Sequence, residues 1–187
     1  MDEPVDEPSD QPTGGRDARR RGLQFFGPDN PVLPPRSGHG PEGDLAARTA
    51  AGVPTEWPSH GGSDAGVLFF EPGADPDRTM NVSFVDMAPH YIIPRHSHDN
   101  DCLYYVTRGE LHLGNRVVRA GEGMFVPAHA PYGYQVGPDG AHVLEFQAAI
   151  RGREATRWYE DDAGWQRVLD NARAHHDDWA DAGYPAP

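Results

Sequence analysis

Between residues 67 and 147 the chain is a succession of short apolar or alternating runs, separated by clusters of Gly, Pro and Asp. The runs include "GVLFFEP", "MNVSFVDMAP", "CLYYVTRGELHLGN" and "HVLEFQ". Seven or eight short strands with turn signals between them are typical of an all-β sandwich or barrel. Two hairpins are predicted, one turning at Gly114-Asn115 and one turning at Gly137 to Gly140.

The sequence on either side of this β region has a different texture, which predicts three parts. Residues 1–62 are acidic and rich in Pro and Gly, so we expect a mostly disordered arm. Residues 63–150 form the β domain. In residues 151–187, Trp165, Val168, Leu169 and Ala172 follow a helical spacing, which predicts a helix from about Gly164 to Ala174.

Composition excludes several classes of function. The chain has 187 residues, enough for one domain, and its net charge of −13 argues against nucleic acid or an anionic membrane as a partner. It has no lysine, so Schiff-base and pyridoxal chemistry are excluded. One cysteine cannot form an internal disulfide, and we find neither a signal peptide nor an apolar run of about 20 residues. We therefore expect a cytoplasmic protein.

Two histidines stand two residues apart in "YIIPRHSHDNDC", four residues before the single cysteine. Successive side chains of a strand alternate between its faces, so His96 and His98 point to the same side. If that side is the interior of a small barrel, two imidazoles converge on one point. Imidazole suits Zn, Cu, Fe and Ni, so the pair is a candidate metal site.

Two segments resemble the paired motifs of the cupin superfamily. "HSHDNDCLYYVTRG", from His96 through Gly109, is similar to the first motif, H-x-H-x3,4-E-x6-G. "GEGMFVPAHAPYGY", from Gly121 through Tyr132, is similar to the second, G-x5-P-x-G-x2-H, with Pro127 at the expected proline. The resemblance implies a double-stranded β-helix, or jelly-roll-like barrel, that is often dimeric. It also implies a pocket for a small molecule in the mouth of the barrel.

The positions that bind metal in cupins are only half retained. The resemblance places Cys102 where a glutamate is usual, Tyr132 where a histidine is usual, and His129 at the glycine of the turn. A thiolate at Cys102 is a strong ligand, although a free cysteine is also often a small buried hydrophobe. A phenolate at Tyr132 is a hard oxygen ligand. His142 could offer a third imidazole if it faces inward.

Two narrower resemblances favour iron. Some thiol dioxygenases carry a cysteine at the position of Cys102, where it can cross-link to a tyrosine. A looser likeness is to the cupins grouped with 2,4'-dihydroxyacetophenone dioxygenase, which use non-haem iron. They imply Fe(II) as the metal, with Zn, Ni, Cu or Mn as alternatives. Because the third histidine of the thiol dioxygenases is missing, we expect Cys102 near the metal but without a cross-link.

Three functions remain open at this point. The first is a mononuclear metal enzyme, an iron oxygenase or a related lyase or isomerase, acting on a small metabolite, with aromatic metabolites among the candidates. Its predicted metal ligands are His96, His98, Cys102, Tyr132 and His142, and its predicted catalytic residues are Tyr132 and Tyr134. The second is a binding or sensing module with an incomplete metal site. The third is a metal-free isomerase or epimerase that uses Tyr and His as acid and base. All three predict a small-molecule ligand, and the cupin resemblance implies a homodimer.

Overall fold

The computed structural model describes residues 25–29, 31, 52–57, 61–70, 80–147 and 156–184. Eight antiparallel strands and one helix follow each other in these residues. They are β1 (Ser63–Phe70), β2 (Asn81–Met87), β3 (Ile92–Ser97), β4 (Cys102–Leu113), β5 (Arg116–Arg119), β6 (Gly123–Val126), β7 (Tyr132–Gln147), β8 (Arg157–Trp158) and α1 (Asp162–Asp181). This confirms the all-β prediction, although the strands form one folded sheet that is not closed. Most of the predicted N-terminal arm lies outside the described residues.

The long strand β7 divides the fold into two facing sheets. Its second half, residues 141–147, lies between β2 and the first half of β4, and β1 and β6 complete what we call the β2 sheet. Its first half, residues 132–136, lies between β3 and the end of β4, and β5 and β8 complete the β3 sheet. Because β4 and β7 belong to both sheets, the sheets meet at a corner and diverge towards an open end, the mouth.

One of the two predicted hairpins is wrong, and its residues lie at the corner. Residues 137–140 do not reverse the chain, because β7 pairs with β4 on both sides of them: Ala141 lies opposite Gly109, and Val136 lies opposite Leu111. The extra residues form a bulge in one continuous strand, the usual way for a strand to turn a corner. The other prediction is confirmed, since Leu113 pairs with Arg116 around the Gly114-Asn115 turn.

Strand alternation fills the corner with apolar side chains. Val106 and Val143 pair across β4 and β7 and are fully buried, as are Met87 and Leu111. Val136 joins the same cluster from the β3 sheet. Close packing of such side chains from two inner faces is the main stabilising contribution in a sandwich of this kind.

The helix α1 covers the outer face of the β3 sheet. Its buried residues are Trp165, Val168, Leu169, Ala172 and Trp179, so the stripe predicted from the sequence continues for two further turns. The helix begins at Asp161, whose carboxylate accepts a hydrogen bond from Gly164 N at 2.8 Å and caps the first turn. No helix in the described part of the chain is long and apolar enough to cross a membrane.

Candidate functional site

Two imidazoles lie next to each other at the mouth. His96 is on β3 and His98 follows the strand, and both side chains are buried. Their ring centres are 4.8 Å apart and their planes are inclined by 72°. The extended backbone from His96 to His98 explains this placement, because residues two apart in a strand share a face.

The two nitrogens of His96 have different partners. Nδ1 is 2.8 Å from the carbonyl oxygen of Pro94, and Nε2 is 2.9 Å from the hydroxyl of Tyr132. A carbonyl oxygen can only accept, so Nδ1 must carry a hydrogen and donate it to Pro94. In the neutral imidazole Nε2 then accepts the hydrogen of Tyr132. The backbone thereby fixes the tautomer, and it points a proton acceptor at Tyr132.

Tyr132 also connects the two sheets. Its hydroxyl is in hydrogen-bond contact with the hydroxyl of Tyr104, which lies on β4 in the opposite sheet. Since Tyr132 donates its own hydrogen to His96, Tyr104 must be the donor in this second bond. The result is a continuous chain of donors from Tyr104 through Tyr132 to His96. If His96 becomes doubly protonated, the same contacts can run in the reverse direction.

Burial keeps both tyrosines in the neutral form. Desolvation is the main reason that the pKa of Tyr104 lies well above its usual value, with the nearby carboxylate of Glu145 as the next cause. The pKa of Tyr132 is also raised, chiefly by burial. The hydrogen bond from Tyr104 acts in the opposite direction on Tyr132, because it stabilises the phenolate. Tyr104 is therefore placed to stabilise Tyr132 when it releases a proton.

Glu145 is a buried residue of the site that sequence reasoning missed. It lies between Tyr104 on β4 and Ser83 on β2, and Ser83 Oγ donates to its Oε2 at 3.4 Å. Only 4% of Glu145 is exposed. A carboxylate in such surroundings is costly unless it has partners, so it marks the mouth as a site of polar chemistry. The signal in the sequence was its position in the strand alternation, because Glu145 is two residues from Val143 and shares its face.

A second polar row lies beside Glu145, nearer the open end. Asn81, Gln147 and Cys102 pair across β2, β7 and β4, and all three are buried. Asn81 Oδ1 is buried and has no hydrogen-bond partner among the described residues. Such an acceptor costs about 1–3 kcal/mol. A ligand in the mouth that donates a hydrogen bond to Asn81 would recover that cost.

Cys102 lies inside the fold on the same face of β4 as Tyr104. Its thiol is 3.9 Å from both the backbone carbonyl and the side-chain oxygen of Asn100. Tyr104, two residues further along that face, is in hydrogen-bond contact with the hydroxyl of Tyr132. The structure therefore brings Cys102 and Tyr132 to the same mouth.

The turn of the second motif is hydrogen-bonded to the beginning of the first motif. His129 N donates to the carbonyl oxygen of His98 at 2.6 Å, and Ala128 N donates to the carboxylate of Asp101 at 2.8 Å. His129 has a φ of 64°, the left-handed conformation that favours glycine. This explains why cupins usually have glycine there. The His129 side chain is exposed.

Two other predicted site residues lie outside the His96–Tyr132–Tyr104 chain. Tyr134 is stacked on Tyr132, with ring centres 6.5 Å apart, but its hydroxyl is directed to Met87 Sδ at 3.7 Å. His142 lies on the opposite face of β7 from Glu145. It stacks on Phe84 there, and its Nδ1 is in hydrogen-bond contact with Thr107. The structure does not bring His142 together with His96 and His98.

The described residues fit half of a metal site. Two imidazoles that each place a nitrogen about 2.0–2.1 Å from one ion have ring centres roughly 5 Å apart, which agrees with the distance between His96 and His98. However, catalytic zinc sites have three protein ligands. In the part of the chain that the structure describes, no group of three or more His, Cys, Asp and Glu side chains could hold a metal ion. Besides His96 and His98, a further ligand that the sequence predicts at this point is the Tyr132 hydroxyl, which lies 2.9 Å from His96 Nε2.

Comparisons with known proteins gave structural matches only. No protein-family model matches the chain, and no curated protein matches it. An RmlC-like cupin from Shewanella frigidimarina aligns at 23% identity over 49% of this chain and 80% of its own, with a TM-score of 0.42. The polyketide cyclase RemF from Streptomyces resistomycificus aligns at 23% identity over 57% and 78%, with a TM-score of 0.47. KdgF from Halomonas sp. aligns at 21% identity over 49% and 82%, with a TM-score of 0.40.

These matches give no information about the reaction, because their identities are below 25% and their TM-scores are below 0.5. The cupin motifs of the sequence fall on β3–β4 and on β6–β7. The first motif begins at the mouth with His96, and the second ends there with Tyr132. Two facing antiparallel sheets that share β4 and β7 are consistent with the jelly-roll-like arrangement that the cupin resemblance of the sequence predicts.

Proposed function

We propose that this cupin is an enzyme that binds a small molecule in the mouth and transfers a proton to or from it, with Tyr132 as the catalytic residue. The observation that carries the proposal is the 2.9 Å contact between Tyr132 and His96 Nε2, with Nδ1 held by Pro94. A general acid or base must lie within hydrogen-bond distance of the group with which it exchanges the proton, and Tyr132 meets that condition towards His96.

The proton path has two steps. A substrate in the mouth gives its proton to the oxygen of Tyr132 while Tyr132 passes its own hydrogen to His96 Nε2. Tyr104 donates to the same oxygen, so it stabilises the negative charge that develops on Tyr132 during the transfer. The reverse transfer returns a proton to a different atom or face of the substrate. This is the chemistry of an isomerase, an epimerase or a lyase.

A test uses carbon-bound hydrogen as the probe. The full-length protein is treated with a chelator and incubated in D₂O with a panel of small ketones, 2-oxo acids and aldoses, and loss of proton signals is followed by NMR. We expect exchange in at least one class, reduced by 10²-fold or more in Tyr132→Phe, because general acid–base groups typically contribute 10²–10⁴-fold. Tyr134→Phe is the matched control and should keep the rate, since its hydroxyl contacts Met87.

Exchange that is equal in Tyr132→Phe and Tyr134→Phe would contradict the role of Tyr132. Exchange that requires added metal would contradict the metal-free mechanism and favour the second candidate. A panel without any exchange in the wild-type protein would contradict proton transfer at carbon for these three substrate classes.

The second candidate is a metal-dependent cupin, an iron oxygenase-like enzyme in the first instance. The placement of His96 and His98 favours it, and these two residues would hold the ion, which would supply Lewis-acid or redox chemistry. Cys102 and Tyr132 face the same mouth. Elemental analysis of the purified protein tests this candidate. A first-row metal near one equivalent, lost in the His96→Ala/His98→Ala double variant, would support it.

A further inference from the structure

The described arginines differ in their partners. Several of them pair with carboxylates, as expected in a chain with a net charge of −13. These pairs are Arg108 with Asp86, Arg119 with Glu110, Arg167 with Glu160, and Arg173 with Asp170. Arg95 and Arg157 form no ion pair among the described residues, although they lie on the neighbouring strands β3 and β8. Two positive charges therefore remain without a counter-charge in one small region.

Arg95 and Arg157 share one aromatic ring. Arg157 lies opposite Ser97, and the backbone N of Tyr159 donates to the carbonyl oxygen of Arg95 at 2.9 Å, which continues the same register. The Cζ atoms of Arg95 and Arg157 lie 5.8 Å and 5.1 Å from the centre of the Tyr159 ring. A guanidinium within about 6 Å of a ring centre is attracted to the face of the ring. Tyr159 therefore holds both guanidinium groups beside it.

Two hydroxyl groups lie at the edge of the same ring. Ser97 Oγ and the Tyr159 hydroxyl are 3.1 Å apart. Each hydroxyl has one hydrogen and their mutual bond uses one of the two, so the other hydrogen can be donated to a ligand. The edge of an aromatic ring also carries the positive part of its quadrupole. We call Arg95, Ser97, Arg157 and Tyr159 the arginine cluster. Both of its arginines are exposed, so a ligand can reach them.

We propose that the arginine cluster binds a phosphate group, either free phosphate or the phosphate of a small ester. Two like charges around one ring repel each other, and a dianion between them offsets this repulsion. A phosphate monoester carries a charge of about −1.5 to −2 at pH 7 and has three acceptor oxygens. Guanidinium groups bind phosphate through paired N–H···O hydrogen bonds. A carboxylate has a single charge, so it matches two arginines less well.

The arginine cluster lies outside the mouth. His96 points into the mouth, so Arg95 and Ser97, its neighbours in β3, point to the opposite face of the strand. The adjacent carboxylate of Glu160 has other partners, because it accepts a hydrogen bond from the backbone N of Arg95 at 2.8 Å and lies 3.8 Å from the guanidinium of Arg167. We therefore expect phosphate binding to be independent of proton transfer in the mouth.

Isothermal titration calorimetry of the full chain with sodium phosphate, at pH 7 and low salt, tests the proposal. We expect saturable binding with a dissociation constant of about 1 mM or below, which is within reach of a ligand of five heavy atoms. Arg157→Gln should weaken binding by about 10-fold or more, because it removes charge-assisted hydrogen bonds. Arg116→Gln is the matched control. It removes the same charge at an exposed position of β5 and should bind phosphate as tightly as the wild-type protein.

Titrations with glycerol 3-phosphate and with sodium acetate at equal ionic strength define the ligand. Tighter binding of glycerol 3-phosphate would identify an ester as the ligand, and tighter binding of inorganic phosphate would identify the free ion. Acetate bound as tightly as phosphate would overturn the proposal. So would equal affinities of Arg157→Gln and Arg116→Gln, or no saturable binding of either phosphate up to about 20 mM, where a millimolar site would be occupied. Circular dichroism checks the fold, and Arg95→Gln replaces Arg157→Gln, with the same expected loss, if that variant does not fold.

Discussion

The space between the two sheets has two ends of opposite character, although the same strands form both. At the corner, β4 and β7 contribute Val106, Val143 and Leu111, all fully buried. At the mouth the same two strands contribute Tyr104 and Glu145, also buried. The inward positions of a strand are normally apolar, so the polar residues at the mouth are exceptions that a function must explain.

The comparison separates the origin of stability from the origin of activity. Apolar burial contributes roughly 25 cal/mol per Å², and this contribution comes mainly from the corner. Buried polar groups contribute little net stability even when they are hydrogen-bonded. Substitutions at the corner should therefore lower the free energy of unfolding strongly. Substitutions at the mouth should alter the chemistry of the protein and leave it folded.

The largest effect should come from a glycine at the corner. Gly109 has a φ of 75°, and a Cβ there would lie 1.8 Å from the carbonyl oxygen of Gly140. To relieve this contact, the bulge that joins the two sheets would have to shift. We expect Gly109→Ala to cost more than about 4 kcal/mol, beyond what most single substitutions cost. Urea denaturation followed by circular dichroism measures the loss.

Gly121 is the matched control, because it begins the second motif as Gly109 ends the first. Its φ is 87°, but a Cβ would meet nothing within 4 Å. Gly121→Ala should therefore cost only the left-handed backbone conformation, about 1–2 kcal/mol. Equal losses in the two variants would mean that the corner is not a point of close backbone approach.

The next prediction compares the stability lost with an aliphatic side chain at the corner and the stability lost with a tyrosine hydroxyl at the mouth. Leu111→Ala removes a fully buried side chain at the corner and should reduce the free energy of unfolding by about 2–5 kcal/mol. Tyr132→Phe keeps the ring and loses two hydrogen bonds, so we expect about 1–2 kcal/mol. Thermal and urea unfolding of both proteins give the two values. A larger loss in Tyr132→Phe would contradict the division between corner and mouth.

The last effect is a dependence on alkaline pH. The pKa values of Tyr104 and Tyr132 are raised, chiefly by burial, so above pH 10 the unfolded state ionises these groups before the folded state does. Below pH 10 the free energy of unfolding should not depend on the ionisation of Tyr104 and Tyr132. Above it, each should lower the stability by about 1.4 kcal/mol per pH unit. Unfolding at pH 9 and pH 11 measures this, and Tyr104→Phe should reduce the slope. An unchanged slope would contradict the buried position of Tyr104.

Local sequence signals were sufficient for much of the fold. Alternation and turn residues predicted the strands, and Gly114-Asn115 marked its hairpin correctly. The segment 137–140 was predicted as a turn because Gly-Pro-Asp-Gly has strong turn propensity. The pairing that overrides this propensity is with β4, about 30 residues earlier in the chain. A contact at that separation has no local signal.

The candidate site shows a second limit of sequence reasoning. In "HVLEFQ" both faces of the strand carry apolar residues, so alternation alone does not tell which face is inside. His142 shares its face with Leu144 and Phe146, and an inward position for that set is the ordinary expectation. Because both faces of β7 carry apolar residues, the shared face with Val143 was not a sufficient signal, and the inward position of Glu145 became visible only in the structure.

The position of β7 near the end of the chain has a consequence for synthesis on the ribosome. β2, β3 and β4 all pair with β7, so neither sheet can be completed until residue 147 has left the exit tunnel. Before β7 emerges, only the β1–β2, β4–β5 and β4–β6 pairs can form, and two-stranded pairs of this kind are marginally stable in water. We expect the nascent domain to fold late and in one step, when its last long strand arrives.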